Sequence, residues 1–219
     1  MKISKETLAT LKNFAAINSN IAFKKGSVLS TISPQRNIMA SVTVPEVFDV
    51  DFYIYDLSQF LGVVSLFEDP DITFSAKVAT FKNGKNSIKY YAADPSVLLL
   101  PPDKQIKFPS DDVTFTMDAS TLTAIGRTAS VLSAPDLSIV GDGKTLVGKV
   151  CDLKNSSNNV FEVELGETDK KFTANFQISN LKMVNQDYTV CLSAKKLSRW
   201  TAVEGDMMVY VALETTSAF

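Results

Sequence analysis

Lys5 and Lys12 stand on one side of an amphipathic stretch, Ser4 to Ile17, and Arg127 occupies a matching place in a second stretch, Asp118 to Val131. Cations displayed along a helix face can meet phosphate oxygens without reading a base sequence, although composition alone makes an ordinary solvated face the expectation. The other candidate groups offer less. Histidine is absent, which removes the usual general base near neutral pH and the commonest metal ligand. A serine triad is thereby excluded, and no Gly-x-Ser-x-Gly elbow occurs. Cys151 and Cys191 lie in strand-like apolar contexts that suit small buried thiols, and two cysteines cannot close a zinc site alone. Gly141-Asp142-Gly143 lacks the following Gly-Lys-Ser/Thr of a phosphate loop and reads as a turn. Asp49 and Asp51, with Glu46, could offer oxygens to a divalent ion, but one strand supplies too few converging ligands, so a solvated outer face is expected. No catalytic residue, metal or cofactor follows from these residues.

The elements that carry the cations are two related helices. On a helical wheel Leu8, Leu11, Phe14 and Ala15 share one side, and Lys5, Lys12 and Asn13 lie on or beside the other. In the echo Leu122, Ile125, Thr128 and Ala129 take the apolar side, Arg127 falls where Asn13 was, and Gly126 falls where Lys12 was. Ser4 and Asp118 are capping residues at the two starts, each followed at the third position by threonine instead of the Glu or Gln of a capping box. The net charge of −2 advertises no polyanion binding, so a local basic face has to carry it.

With 219 residues, 45% apolar and 21% charged, the chain suits one large or two ordinary soluble domains. No apolar run is long enough to span a bilayer and Met1-Lys-Ile-Ser lacks a signal-peptide core, so a cytoplasmic protein without membrane contact is expected. Strands are predicted at 21–23, 28–32, 38–44 and 50–55, then a second amphipathic helix over 56–67, then strands at 71–76, 78–82 and 87–91 around the Asn83-Gly84 hairpin signal. The second half replays this order. Its helix is followed by strands at 136–140, 145–151, 160–165 and 172–176, and Phe176 to Val184 echoes Tyr55 to Val63, with Ser179 matching Ser58. Strands at 188–194 and 208–214 close it, with 197–203 between. Duplication of a whole α+β domain explains a repeat of this length. The expected division is 1–93, a connector at 94–111, and 112–219. Four prolines between Ala92 and Pro109 forbid regular structure there, and the apolar Val97-Leu98-Leu99-Leu100 inside must pack on sheets or await a partner.

The opening Met1-Lys-Ile-Ser-Lys-Glu-Thr with Leu11 to Asn18, the run Ile54 to Leu57 with Phe60-Leu-Gly62, the connector start Ala92 to Ser96, and the ending Val209 to Glu214 together resemble the sliding clamps of T-even-type bacteriophages. These are the phage counterparts of proliferating cell nuclear antigen. The resemblance implies two tandem domains of one clamp topology, antiparallel sheets outside and helices lining the hole of a head-to-tail homotrimeric ring. It implies a processivity factor that encircles duplex DNA, tethers the replicative DNA polymerase, and is loaded by an ATP-driven clamp loader, in the cytoplasm of the infected bacterial host. Late-transcription factors are a further class of partner it implies. Lys5, Lys12, Arg127 and Lys182 would face the duplex. Val97, Leu98, Leu99 and Leu100 would form one wall of a groove for partner peptides; Ala212, Leu213 and Phe219 would contribute the other wall, with Met39 facing that region. The ending Thr215 to Phe219 reads otherwise as a frayed tail. From the residues alone, a β-rich phage structural or adaptor protein that oligomerises without DNA is the alternative.

Overall fold

A computed structural model describes residues 1–103 and 106–219, which fall into two units, Met1–Lys104 and Gln105–Phe219. Residues 104 and 105, inside the expected connector, lie outside the described residues.

The first unit opens with helix α1 (Lys5–Ile17), followed by strands β1 (Ile21–Phe23), β2 (Gly26–Ile32), β3 (Ile38–Phe48) and β4 (Phe52–Ile54). Helix α2 (Leu57–Ser65) then leads to β5 (Asp71–Phe74), β6 (Val78–Asn83) and β7 (Asn86–Tyr91). β1 pairs with β4 and β2 with β3, all antiparallel, while β5, β6 and β7 form a three-stranded sheet in that order. β3 runs past the expected end through Pro45, a residue confined to sheet borders and irregular positions. An aromatic core fills the unit. Phe23 stacks on Phe48 at 4.7 Å, and Phe60 of α2 meets Phe23 and Phe81 edge-on, each at 5.5 Å.

The second unit starts with β8 (Val113–Met117), helix α3 (Ala119–Leu132), and the sheet formed by β9 (Asp136–Asp142), β10 (Thr145–Cys151), β11 (Phe161–Glu167) and β12 (Lys171–Gln177) in the order β11-β10-β9-β12. Strands β13 (Tyr188–Ser193), β14 (Leu197–Ala202) and β15 (Met208–Ala212) follow, with β8 added on the outer side of β13. The pairs β1–β4 and β2–β3 thus recur as β9–β12 and β10–β11, the structural form of the sequence repeat. Trp200 centres this core, edge-on to Phe176 at 5.9 Å and Tyr188 at 6.1 Å. Burial pushes the Tyr188 hydroxyl up to about 12, and it donates to the Val184 carbonyl at 2.7 Å.

Both hairpins turn on Gly-Lys, one residue beyond the predicted pairs: Gly84 (φ 57) and Gly143 (φ 91) take the first loop position, where a positive φ matches the strand twist. The Asp142 carboxylate accepts the Thr145 and Lys144 amides at 2.7 and 2.8 Å.

Four expectations are corrected. The echo at 176–184 forms no second α-helix; β12 continues to Gln177, and a single 3-10 turn, Ile178–Asn180, follows. Asp56 caps α2, whereas Gln177 makes no side-chain cap bond, and residues 178–187 must also bring the chain back to β13. β8 is a strand outside the expected set, although Val113, Phe115 and Met117 alternate inward. The proline-rich connector contains one regular turn, the 3-10 segment Pro95–Val97 capped by Asp94. The ending is not frayed: Ala218 bridges Thr173, Ser217 is buried, and Phe219 stacks on Phe172 at 5.5 Å.

Candidate nucleic-acid interface and partner surface

The helix faces are set by caps. Ser4 accepts the Thr7 amide at 3.1 Å, and Thr7, Leu11, Phe14 and Ile17 turn into the core of the first unit. That leaves Lys5, Glu6, Ala9, Lys12 and Ala16 exposed. Asp118 accepts from the Ser120 hydroxyl at 2.6 Å and the Thr121 amide at 2.7 Å; these bonds, the Ser120 hydroxyl first, hold its carboxyl below the usual range. Ile125 and Ala129 are the buried side of α3, while Gly126, Arg127 and Ser130 are exposed. α2 exposes Ser58, Gln59, Gly62 and Ser65, with no cation among them.

Lys5, Lys12 and Arg127 make no salt bridge among the described residues, so their charge is available to an external anion. Lys182 is exposed too, but in the irregular segment after the 3-10 turn and not on a helix.

Glu46 does not join a metal site. It is buried at 7% exposure and turned to the start of α1, where it accepts from the Ser4 amide and the Thr7 hydroxyl, each at 2.5 Å. Asp51 accepts the Lys25 amide at 2.7 Å and the Tyr53 hydroxyl at 3.2 Å, and Asp49 is exposed. No group of three or more acidic or sulfur ligands converges among the described residues.

In the first unit, Val97 is 60% exposed and Leu98, Leu99 and Leu100 are half-buried. Met39 is half-buried on β3, opposite Ile32 of β2. Asn18 brings these two regions together, donating its side-chain amide to the Ile32 carbonyl at 2.9 Å and to the Leu99 carbonyl at 3.0 Å. Sequence reasoning passed over Asn18, whose only local sign is a polar residue closing an amphipathic helix. In the second unit, half-buried Ala212 on β15 pairs with Leu197. Leu213 is buried, so its side chain belongs to the core, and Phe219 stays 42% exposed above Phe172 on β12.

No helix among the described residues is long and apolar enough to cross a membrane. Residues 4–100 match the family described as DNA polymerase processivity factor. Over 225 residues the chain is 33% identical to the sliding clamp of Enterobacteria phage T4, covering 99% of this chain and 98% of that one. It is 27% identical over 208 residues to the sliding clamp of Vibrio phage KVP40, covering 91% and 94%. Among solved structures, A. fulgidus PCNA bound to the C-terminal region of FEN-1 superposes with a TM-score of 0.69 at 16% identity, covering 98% of each chain, a likeness of fold. The match to sliding clamps displaces the structural-adaptor alternative; the chain belongs to the sliding-clamp family of DNA polymerase processivity factors, which are non-enzymatic.

Proposed function

We propose that three copies of the chain close head to tail into a ring around duplex DNA, with α1 and α3 turned to the phosphates. The carrying observation is the pair of repeated helices whose exposed faces hold Lys5, Lys12 and Arg127, none of them in a salt bridge among the described residues. Lys182 adds a contact from the irregular segment. So few cations give a weak, sequence-independent and salt-sensitive attraction. Weak contact suits sliding, and encirclement rather than binding energy would retain the ring.

Sheet borders support the ring. Met1 exchanges hydrogen bonds with Ile72 along the outer side of β5, at 2.7 and 2.8 Å, and Ala218 bridges Thr173 of β12. Those contacts occupy one border of each sheet, leaving β7 and β11 as the opposite borders. β7 carries exposed Lys89, with Lys85 in its turn, and β11 carries exposed Glu162, Glu164 and Glu167. Pairing β7 of one protomer with β11 of the next joins unlike surfaces, as a head-to-tail ring requires. Antiparallel pairing with Lys89 opposite Glu164 also sets half-buried Ile88 and Tyr90 opposite Leu165 and Val163.

On this reading residues 94–111 connect domains 1–93 and 112–219. Val97 to Leu100 with Met39, and Ala212, Leu213 and Phe219, receive peptides of the replicative polymerase and of an ATP-driven clamp loader. Late-transcription factors would dock in the same way, in the cytoplasm of the infected host.

Light scattering over a dilution series, followed by retention on circular and linear duplex, tests the ring. A mass near three times 23.9 kDa, with loaded protein kept on circles and lost from linear ends, is expected. A monomer at high concentration, or equal retention on both DNAs, overturns it.

A further inference from the structure

Leu98 to Leu100 pairs with no strand among the described residues, yet the amide and the carbonyl of Leu99 are both paired. The Leu99 amide donates to Asn20 Oδ1 at 3.0 Å, and the Leu99 carbonyl accepts from Asn18 Nδ2 at 3.0 Å. The two asparagines stand where a neighbouring strand would be. Each is held in turn. Asn18 closes α1, donating its amide to Phe14 at 2.9 Å, and its Oδ1 accepts the Asn20 amide at 3.0 Å. Its Nδ2 also bonds the end of β2 at Ile32, the residue opposite Met39. Asn20 donates to the Tyr55 carbonyl at 2.7 Å.

We infer that Asn18 and Asn20 are positioning residues for partner binding: together they hold Leu99 in register beside the Ile32–Met39 end of β2 and β3, so that Val97, Leu98 and Leu100 meet a partner as a preformed surface. The inference rests on the reading of this segment as a partner-binding wall. The chemistry gives it a purpose. Pro95, Pro101 and Pro102 have no amide hydrogen to donate to a ladder, so strand pairing of the segment between them is interrupted at both of its ends. Unless it is tied otherwise, a partner would have to order it on arrival and would lose affinity in proportion to the time spent in other conformations. The partner it fits is an apolar side chain or pair on an extended or helical peptide.

The test uses the full chain with its phage's replicative polymerase as the probe, and three substitutions. Asn20→Leu removes the acceptor for the Leu99 amide; Asn20→Asp keeps it; Val97→Asp alters an exposed residue outside the bracket. Solution mass, hydrogen exchange at the Leu99 amide and polymerase affinity are measured on each. Asn20→Leu is expected to keep the wild-type mass, speed exchange at Leu99 and weaken the polymerase about tenfold, as for a surface formed one-tenth of the time. Asn20→Asp is expected to restore protection and most of the affinity. If Val97→Asp weakens binding and Asn20→Leu does not, despite faster exchange at Leu99, the positioning role is overturned while the wall stands. The positioning role is overturned equally if Asn20→Asp keeps Leu99 protected but binds as weakly as Asn20→Leu. If Val97→Asp leaves affinity unchanged, the wall is misplaced, and the positioning role falls with it.

Discussion

The Glu46 carboxylate accepts the Thr7 hydroxyl at 2.5 Å, 39 residues away in the chain, and with the same group accepts the Ser4 amide. A capping box normally draws its acid from the third residue of the helix. Here threonine holds that place, and β3 supplies the acid from across the fold. Burial works to raise the Glu46 pKa, but the bonds from Ser4 and Thr7 outweigh it, and the net shift is downward. A depressed carboxyl contributes stability above its unfolded value, ordinarily about 4.3, and loses that contribution as pH falls through the folded value. Glu46→Gln should therefore cost about 1–2 kcal/mol near neutral pH, and the gap from wild type should shrink on acidification below about pH 4. Urea melts at several pH values check both parts.

Gly126 lies at the α3 position matching Lys12, and a side chain added there would meet nothing within 4 Å. Gly126→Lys should stabilise the helix by about 0.5–1 kcal/mol. It should also steepen the salt dependence of the affinity for short linear duplex, by about 0.9 in the logarithmic slope for each new phosphate contact. Equilibrium binding to short linear duplex across a salt series, beside thermal melts, gives both numbers.

Gly141 has the opposite surroundings. An added Cβ would sit 2.6 Å from the Lys170 carbonyl oxygen and 2.6 Å from the Phe172 ring, both unable to give way as a flexible side-chain end would. Gly141→Ala should cost about 1–3 kcal/mol and disturb the Phe172–Phe219 stack. A lower urea midpoint, with faster proteolysis at the C-terminal residues, is the expected result.

Lys89 and Glu164, on the borders proposed to meet, have no salt-bridge partner among the described residues. Lys89→Glu and Glu164→Lys should each weaken ring assembly, about tenfold or more per interface, because like charges directly opposite in a ladder repel. The double reversal should recover much of the loss. Sedimentation of the two single variants and the double variant at low and high salt measures the coupling.

The residues that announced themselves in the sequence are those whose signals are local. Ser4 and Asp118 before apolar runs, and Asn83-Gly84 and Asp142-Gly143 between alternating ones, carry their meaning within a few positions, and α1, α3 and the hairpins follow. Residues 176–184 failed because the echo repeated serine and apolar spacing but not the cap, Asp56 being matched by Gln177. Val113 to Met117 alternates as a strand should, and proximity to the prolines hid it. Glu46, Asn18 and Asn20 could not be read at all. Glu46 meets Thr7, 39 residues away, and Asn18 and Asn20 meet Leu99, 81 and 79 residues away; an isolated acid or amide looks the same whether it is solvated or closing a helix. Lys5, Lys12 and Arg127 lie on exposed helix faces, as the helical wheel of each stretch led one to expect, whereas Lys182 lies off any helix.

Met1 on β5 and Ala218 on β12 have a consequence for how copies of the chain can accumulate. Each of those two sheets can be lengthened at one border alone, so strand-by-strand growth is vectorial, like a polymer with one blocked end. A chain added at β7 or β11 presents its own single unlike border to the next. On the pairing proposed for β7 and β11, growth terminates itself if the rotation brings the last border back to the first, and such a closed assembly would keep no adhesive margin of these sheets to seed aggregates in a crowded cell.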